Sequence, residues 1–430
     1  MSQRIRASAE LLRGRLDRVL GVREPLLRAV MREARCRGAR AYLVGGPVRD
    51  LLLGRPLVDV DVMLSDGLGP VAVAAAERVG GRAVVHGRFL TARVEHAGIQ
   101  IDLCRARRES YPAPGSLPRV VAAEVEQDLG RRDFTIHAMA LPLGPRDPGP
   151  LLDPFDGIRD LRNRRLRILH PQSFIDDPTR LLRASRYATR LGLRFEAETG
   201  RAFRGALREG ALESVSGDRV SHELERTLAE ERTGPAASSL DRLGLLGAVV
   251  RGWSLSPAAK RALRRLDSAR RTPPWSEMEA SEVQTAAAFA ALLLDAPGKL
   301  RERALERLGF TGGRATRVVE SIREAKRAVR WLDRERSPGA VDARLGTLRE
   351  PALLLGYLIA DPARARVLRR YAREWRHLPN PLGGAELRGI GLQGPPVGKL
   401  LRAARRRALD GRHIDAAWVQ RWLARYGVMR

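Results

Sequence analysis

The chain has only two cysteines, Cys36 and Cys104, in 430 residues. They lack metal-ligand spacing and are too few for a disulfide framework, which excludes a stapled secreted scaffold and predicts a cytoplasmic setting. Long apolar runs are also missing. The longest, Ala286 to Leu294, is about half of the roughly 20 residues a membrane-spanning helix needs. Met1 to Val22 is Arg-rich and helical in period, but Glu10 and Asp17 interrupt it and no small-residue cleavage site follows a hydrophobic core. It reads as a folded helix rather than a targeting signal. The chain shows no fixed-period repeat, no low-complexity segment and no His-Asp pair of the kind a separate metal-dependent phosphohydrolase domain carries.

Arginine is present in excess and lysine almost absent. The formal net charge is +28 and the pI about 11.4. Because the planar guanidinium fork binds phosphate in a bidentate way, a field of this sign favours RNA as a partner, although the same composition is also what codon bias in a GC-rich genome produces. At this length the chain can bury two or more cores.

The most informative segment is Leu43-Val44-Gly45-Gly46-Pro47-Val48-Arg49-Asp50, followed nine residues later by Asp59-Val60-Asp61. Val58, Val60 and Val62 alternate with the two aspartates, so the spacing predicts a β-strand with both carboxylates on one face. Like charges placed that way repel unless a cation sits between them, and such a pair, backed by a third carboxylate, is how phosphoryl-transfer enzymes hold two Mg²⁺ ions. Gly45 and Gly46, which lack a Cβ, let backbone N–H groups approach a phosphate chain, and Arg49 adds a fixed positive charge. Asp102, in Gly98 to Leu103, lies on another alternating stretch expected to form the strand beside Asp59.

Strand, Gly-Gly turn, a helix from Val48 to Leu53, a stop at Gly54 and a strand with the aspartates resemble the core of the nucleotidyltransferase superfamily that includes DNA polymerase β. Gly-Gly-x-Val-Arg-Asp followed by Asp-x-Asp is similar to its class II tRNA nucleotidyltransferase and poly(A) polymerase branch. Arg131 to Ala140 resembles that family's Arg-Arg-Asp-Phe-Thr-Ile-Asn-Ala-Met-Ala, with His137 in place of the asparagine. The resemblance implies that Arg132 and Asp133 contact the ribose of the incoming nucleotide. Asp176-Asp177-Pro178-Thr179-Arg180 resembles the family's Glu-Asp-x-x-Arg element, with Asp176 for the glutamate, and implies that Asp177 and Arg180 pair with the base of CTP or ATP. Read from the residues alone, Asp177-Pro178 is an N-cap followed by a first helical residue, and the two readings are compatible. Arg183, Arg186 and Arg190 continue at helical spacing, as a solvated face or as a phosphate track. Asp102 would complete the metal site with Asp59 and Asp61; a solvent-facing strand aspartate is the alternative.

Between Asp102 and Arg131, the run Arg108 to Pro118 differs from the Asp-Gly-Arg loop of many CCA-adding members and looks closer to the branch in which separate enzymes add CC and A. Near the C-terminus, Gly383 to Leu387 and Gly391 to Leu401 also resemble the family. Lys399, Arg402, Arg405, Arg406 and Arg407 there make a basic helix face, solvated by default and a tRNA-backbone contact under the resemblance.

The expected fold is α+β, a small mixed-sheet, polymerase β-like nucleotidyltransferase head followed by an all-helical body and tail. Changes of periodicity and Pro/Gly punctuation divide it into an N-terminal helical segment (1–40), the catalytic head (41–160), a helical neck with nucleotide-base recognition (161–235), a helical body (236–335) and a helical basic tail that binds tRNA (336–430). The resemblance implies a tRNA nucleotidyltransferase that adds all or part of the 3′-terminal CCA, with Mg²⁺ as cofactor held by Asp59 and Asp61. Its partners would be tRNA, CTP and ATP, without a membrane or an obligate protein partner. A poly(A) polymerase and a catalytically silent RNA-binding protein on the same fold stay open.

Overall fold

The structure, a computed structural model, describes residues 12, 14–16, 18, 20–113, 115–144, 150–278, 282–332, 336–389 and 392–425. Most of the expected N-terminal helix, with Glu10 and Asp17, lies outside these residues, as does Gly391 of the C-terminal motif. The chain divides into two compact units, Met1–Ser216 and Gly217–Arg430.

The first unit is built on a six-stranded mixed sheet. Its strands are β1 (Ala41–Val44), β2 (Asp61–Leu64), β3 (Arg82–His86), β4 (Thr91–His96), β5 (Ile99–Arg105) and, after a separate β6–β7 hairpin (Arg107–Ser110 with Arg119–Ala122), β8 (Ala140–Pro142). They lie in the order β3-β4-β5-β2-β1-β8. Period-two alternation sorts the side chains onto two faces. Leu43, Val62, Leu64, Ile101 and Leu103 enter one core with the helices α1 (Glu24–Cys36) and α3 (Leu68–Val79), through Leu26, Val30, Val71 and Ala75. Tyr42, Val44 and Met63 face the opposite side, against Val125 and Leu129 of the short helix α4 (Val125–Gly130); α2 (Gly46–Leu52) leaves β1 at the Gly-Gly turn.

The strand carrying the aspartates is shorter than its alternation predicts: it begins at Asp61, with Asp59 exposed just before it. Pairing starts one residue earlier, where the Val60 carbonyl accepts the Asp102 N–H at 3.1 Å. Val58 is 64% exposed whereas Val60 is 2% exposed, so the burial that makes a half-buried strand is missing upstream of Val60. The β4–β5 hairpin closes through Ala97 and Gly98, both with positive φ (49° and 77°), as expected for a primed two-residue turn in which glycine relieves one of the strained positions.

Past the sheet come α5 (Gly157–Arg162), α6 (Ser173–Asp176) and α7 (Thr179–Leu191). Within the expected helical neck there is also a two-residue parallel pair, Arg165–Leu166 with Arg194–Phe195. In the second unit the described residues contain no strand. Pro257 and Pro338 become helix starts, each behind a serine whose hydroxyl accepts a backbone N–H, Ser256 from Ala259 and Ser337 from Ala340. The tail gathers Leu387, Leu392, Leu400 and Leu423 into a small core of their own. Among the described residues no helix is long and apolar enough to cross a membrane.

Candidate active site

The β2–β5 register sets Asp61 directly beside Asp102 on parallel strands, and the β4–β5 register sets Arg93 opposite Asp102. Asp61 shares its sheet face with Met63, and Asp102 with Cys104, so both carboxylates emerge on the side away from α1 and α3. There a cavity of about 510 Å³ is lined by Asp61, Asp102, Arg93, Cys104 and Arg132, among others. Arg93 grips Asp102 with Nε at 2.7 Å from Oδ1 and Nη2 at 3.3 Å from Oδ2, both side chains nearly half exposed. Burial pushes the Cys104 thiol up to about 11, which keeps it protonated and unreactive at neutral pH. Among the described residues no three His, Cys, Asp or Glu side chains already converge as a metal cage. The donor set nevertheless suits a hard divalent cation: adjacent carboxylate oxygens on rigid strands, in a cleft that holds an arginine for the anion such an ion would accompany.

Gly45 ends β1 with φ 72° and ψ −129°, a conformation only glycine adopts freely, and a Cβ there would come within 2.8 Å of Arg132 Nη1. This turn brings backbone next to Arg132 and starts α2. Arg49 on α2 is buried and does not project into solvent. It donates to Asp50 through Nε and Nη2 at 2.9 and 2.8 Å, and through Nη1 to His137 Nε2. His137 Nδ1–H donates in turn to Asp133 Oδ1 at 2.8 Å, and Asp133 Oδ2 takes both Nε and Nη2 of Arg183 at 2.9 and 2.6 Å. Burial drives the His137 imidazole down to about 4 against the pull of Asp133, so it is neutral. For Asp133 burial acts upward, but Arg183 and His137 outweigh it and hold the carboxyl well below its usual range.

Two residues that the motifs did not single out tie these parts together. Asp128, fully buried, accepts Arg131 on Oδ1 at 3.0 and 2.8 Å and Arg132 on Oδ2 at 3.2 and 2.8 Å. Its position three and four residues before the paired arginines, across the end of α4, is the signal that was available. Tyr187 sits among cations, its ring centroid 4.5 Å from the Arg186 guanidinium carbon, 5.5 Å from that of Arg49 and 5.6 Å from that of Arg183. It lies four residues after Arg183, on the same face of α7.

At the start of α7 the Asp177 carboxylate caps the helix, accepting the Thr179 N–H at 3.1 Å and its hydroxyl at 2.6 Å. Arg180 is 4% exposed and donates to Ser173 Oγ at 2.6 Å and to the Arg131 carbonyl at 2.8 Å. It thus links α6 and α7 to the residue preceding Arg132. Arg186 is buried like Arg180, and Arg183 half-buried.

In the second unit, the expected basic face lies on the helix Pro395–Leu409 and is split. Lys399, Arg402 and Arg406 are exposed, whereas Arg405 is turned inward, paired with Asp342 at 2.7 and 2.9 Å and donating to the Leu378 and Trp375 carbonyls. Arg407 donates to the His413 carbonyl at 2.7 Å and lies over the Trp418 ring. The spacing of Lys399, Arg402 and Arg406 keeps these three on one side, while Arg405 falls on the side that the body needs for its own packing.

Residues 41–167 match the family described as the Poly A polymerase head domain. The chain is 39% identical over 282 residues to the CC-adding tRNA nucleotidyltransferase of Deinococcus radiodurans, a match covering 63% of this chain and 72% of that protein. It is 36% identical over 243 residues to the A-adding tRNA nucleotidyltransferase of Aquifex aeolicus, covering 56% of this chain and 29% of that one. The chain spans only about 27% to 55% of the length of the A-adding relatives it matches. Its fold is similar to that of the Thermotoga maritima CCA-adding enzyme complexed with tRNA, with a TM-score of 0.71 at 26% identity over 97% of this chain and 98% of that one.

Proposed function

Because the chain belongs to the tRNA nucleotidyltransferase family, whose members work with divalent metal ions, we propose that it transfers nucleotides from CTP or ATP to the 3′ end of tRNA. It would add all or part of CCA and release pyrophosphate. The observation that carries this reading is the pair Asp61 and Asp102, side by side in one cleft with Arg132. Asp59 and Asp61 would hold Mg²⁺, with Asp102 as a third carboxylate once Arg93 yields it. The chemistry that the bound ions supply is acidification of the attacking 3′-hydroxyl and neutralisation of the triphosphate.

The chain's own groups do the rest. Gly45 and Gly46 offer a close backbone approach to the triphosphate, with Arg49 as the positive charge beneath them. Arg132 and Asp133 would read the ribose, Arg132 oriented by Asp128 and Asp133 by His137 and Arg183. Asp177 and Arg180 would present the base-reading edge at the start of α7. Their present bonds, a cap and a strut, are compatible with that role only if the nucleotide takes over some of them. Arg183 and Arg186 would complete the nucleotide site, and Lys399, Arg402 and Arg406 would meet tRNA phosphates, with Arg405 and Arg407 behind them. On this reading residues 41–160 perform transfer, 161–235 select the base and 336–430 grip the RNA.

The test is incubation with tRNA ending at the discriminator base, at C or at CC, with CTP and ATP supplied separately and the product length read on a gel. Addition of C, A or both in Mg²⁺, abolished in Asp61→Ala while tRNA binding persists, is the expected result. Long A-tracts would identify a poly(A) polymerase, and binding without incorporation a silent RNA-binding protein; either would overturn the proposal.

A further inference from the structure

His137 stands where the family motif has asparagine, and it touches three of the residues assigned above to the nucleotide. Its Nδ1–H meets Asp133, its Nε2 accepts from Arg49, and its backbone carbonyl lies 3.5 Å from Arg132 Nη1. The ring is clamped by Tyr187, edge-on with centroids 4.4 Å apart. Its backbone is fixed by the 3₁₀ turn Thr135–His137. Both ring nitrogens are therefore committed, in one tautomer, to groups at opposite ends of the proposed site.

We infer that His137 is a positioning residue that joins the ribose-reading carboxylate Asp133 to the triphosphate-seating guanidinium Arg49, so that one buried chain sets both ends of the nucleotide site. The inference rests on the proposed nucleotide site and extends it. An asparagine cannot do the same work. Its amide reaches about as far from Cβ as Nδ1 does, so it can donate to Asp133, but it ends short of Nε2 and leaves Arg49 Nη1 without this acceptor. In this chain the imidazole bridges a distance that the amide does not.

His137→Asn and His137→Leu separate the two arms. Equilibrium binding of ATP, CTP, their 2′-deoxy counterparts and inorganic pyrophosphate is measured in Mg²⁺ without tRNA, alongside thermal melts that establish folding. His137→Asn keeps the Asp133 bond, so its preference for ribo- over deoxyribonucleotide stays at the wild-type value. Pyrophosphate affinity falls about tenfold or more, the scale of removing one hydrogen bond to a charged group. His137→Leu loses both arms, and both quantities fall. A folded His137→Leu with wild-type pyrophosphate affinity and ribose preference overturns the inference, and so does a His137→Asn that loses ribose preference while keeping pyrophosphate. Because no turnover is involved, failure of transfer to tRNA tests the proposed function separately. A wild-type protein that binds neither nucleotide overturns both.

Discussion

Removing Asp128 isolates the electrostatics of the head in a single substitution. Its carboxylate is fully buried and receives four guanidinium N–H bonds from Arg131 and Arg132, whose side chains are only 17% and 16% exposed. Deleting one member of a buried charged set leaves the remaining charges uncompensated, at about 3–5 kcal/mol. The two arginines do not lose equally. Arg131 keeps Glu109 at 2.6 Å, whereas among the described residues Arg132 keeps only the distant His137 carbonyl. Asp128→Ala is therefore expected to cost about 3–5 kcal/mol, most of it through Arg132, and the same change in an Arg131→Ala background to cost nearly as much. Asp128→Asn retains one acceptor and loses the charge, at about 2 kcal/mol. The two compact units need not unfold together, so the measurement is native-state hydrogen exchange at the amides of α4 and the β6–β7 hairpin during urea titration. The freed Arg132 should also weaken CTP and ATP binding about tenfold. Asp128→Ala within about 1 kcal/mol of wild type at those amides would show that the arginines find water instead, and would refute the reasoning.

Gly45→Ala combines backbone strain of about 1–3 kcal/mol with a Cβ that displaces Arg132 Nη1; calorimetric titration should show CTP and ATP binding weakened about tenfold, and unchanged affinity would sink the idea. Replacing Lys399, Arg402 and Arg406 with glutamine should reduce the slope of log Kd for tRNA against log salt by about 0.7–0.9 for each phosphate that the helix no longer engages. Arg405→Gln should leave that slope alone and lower the melting temperature, because it breaks the Asp342 pair. The acid response follows from His137: its folded value of about 4 lies below the unfolded 6.5, so the unfolded chain binds the proton first. Stability is then full above about pH 6.5 and falls as pH drops toward 4. Acid titration of the first unit should show this loss in the wild type and a shallower one in His137→Asn; equal slopes would contradict it.

The sequence carries the head in unusual detail because its elements are local. Alternation in Ile99 to Leu103 is a direct image of a two-faced sheet, and the expected neighbouring strands do pair, Asp61 beside Asp102. The mixed sheet followed by helices also stands as read. What stayed hidden was partner choice. Nothing in the spacing of Arg49 says that it turns inward to Asp50 and His137 instead of outward, because burial of a charge is decided by the far side of the site. Asp128 looks like any acidic residue in a helix first turn until Arg131 and Arg132 fold back over it. Likewise, Arg405 and Arg406 are adjacent in the chain, yet Asp342, 63 residues earlier, claims only the first.

The turn at Ala97–Gly98 lies on the surface, where changes of loop length are usually tolerated. Here two residues of positive φ fix how β4 hands over to β5, and β5 in turn is paired with β2. Side chains on a strand repeat every two residues, so a slip of one would carry Asp102 into the layer now filled by Ile101 and Leu103, and bring one of those apolar side chains into the cleft beside Asp61. A single-residue insertion in this turn would thus exchange a carboxylate for a hydrocarbon at the site while leaving every residue of the site in the sequence. Insertions and deletions, rather than substitutions, are the changes to which this exposed hairpin is least permissive.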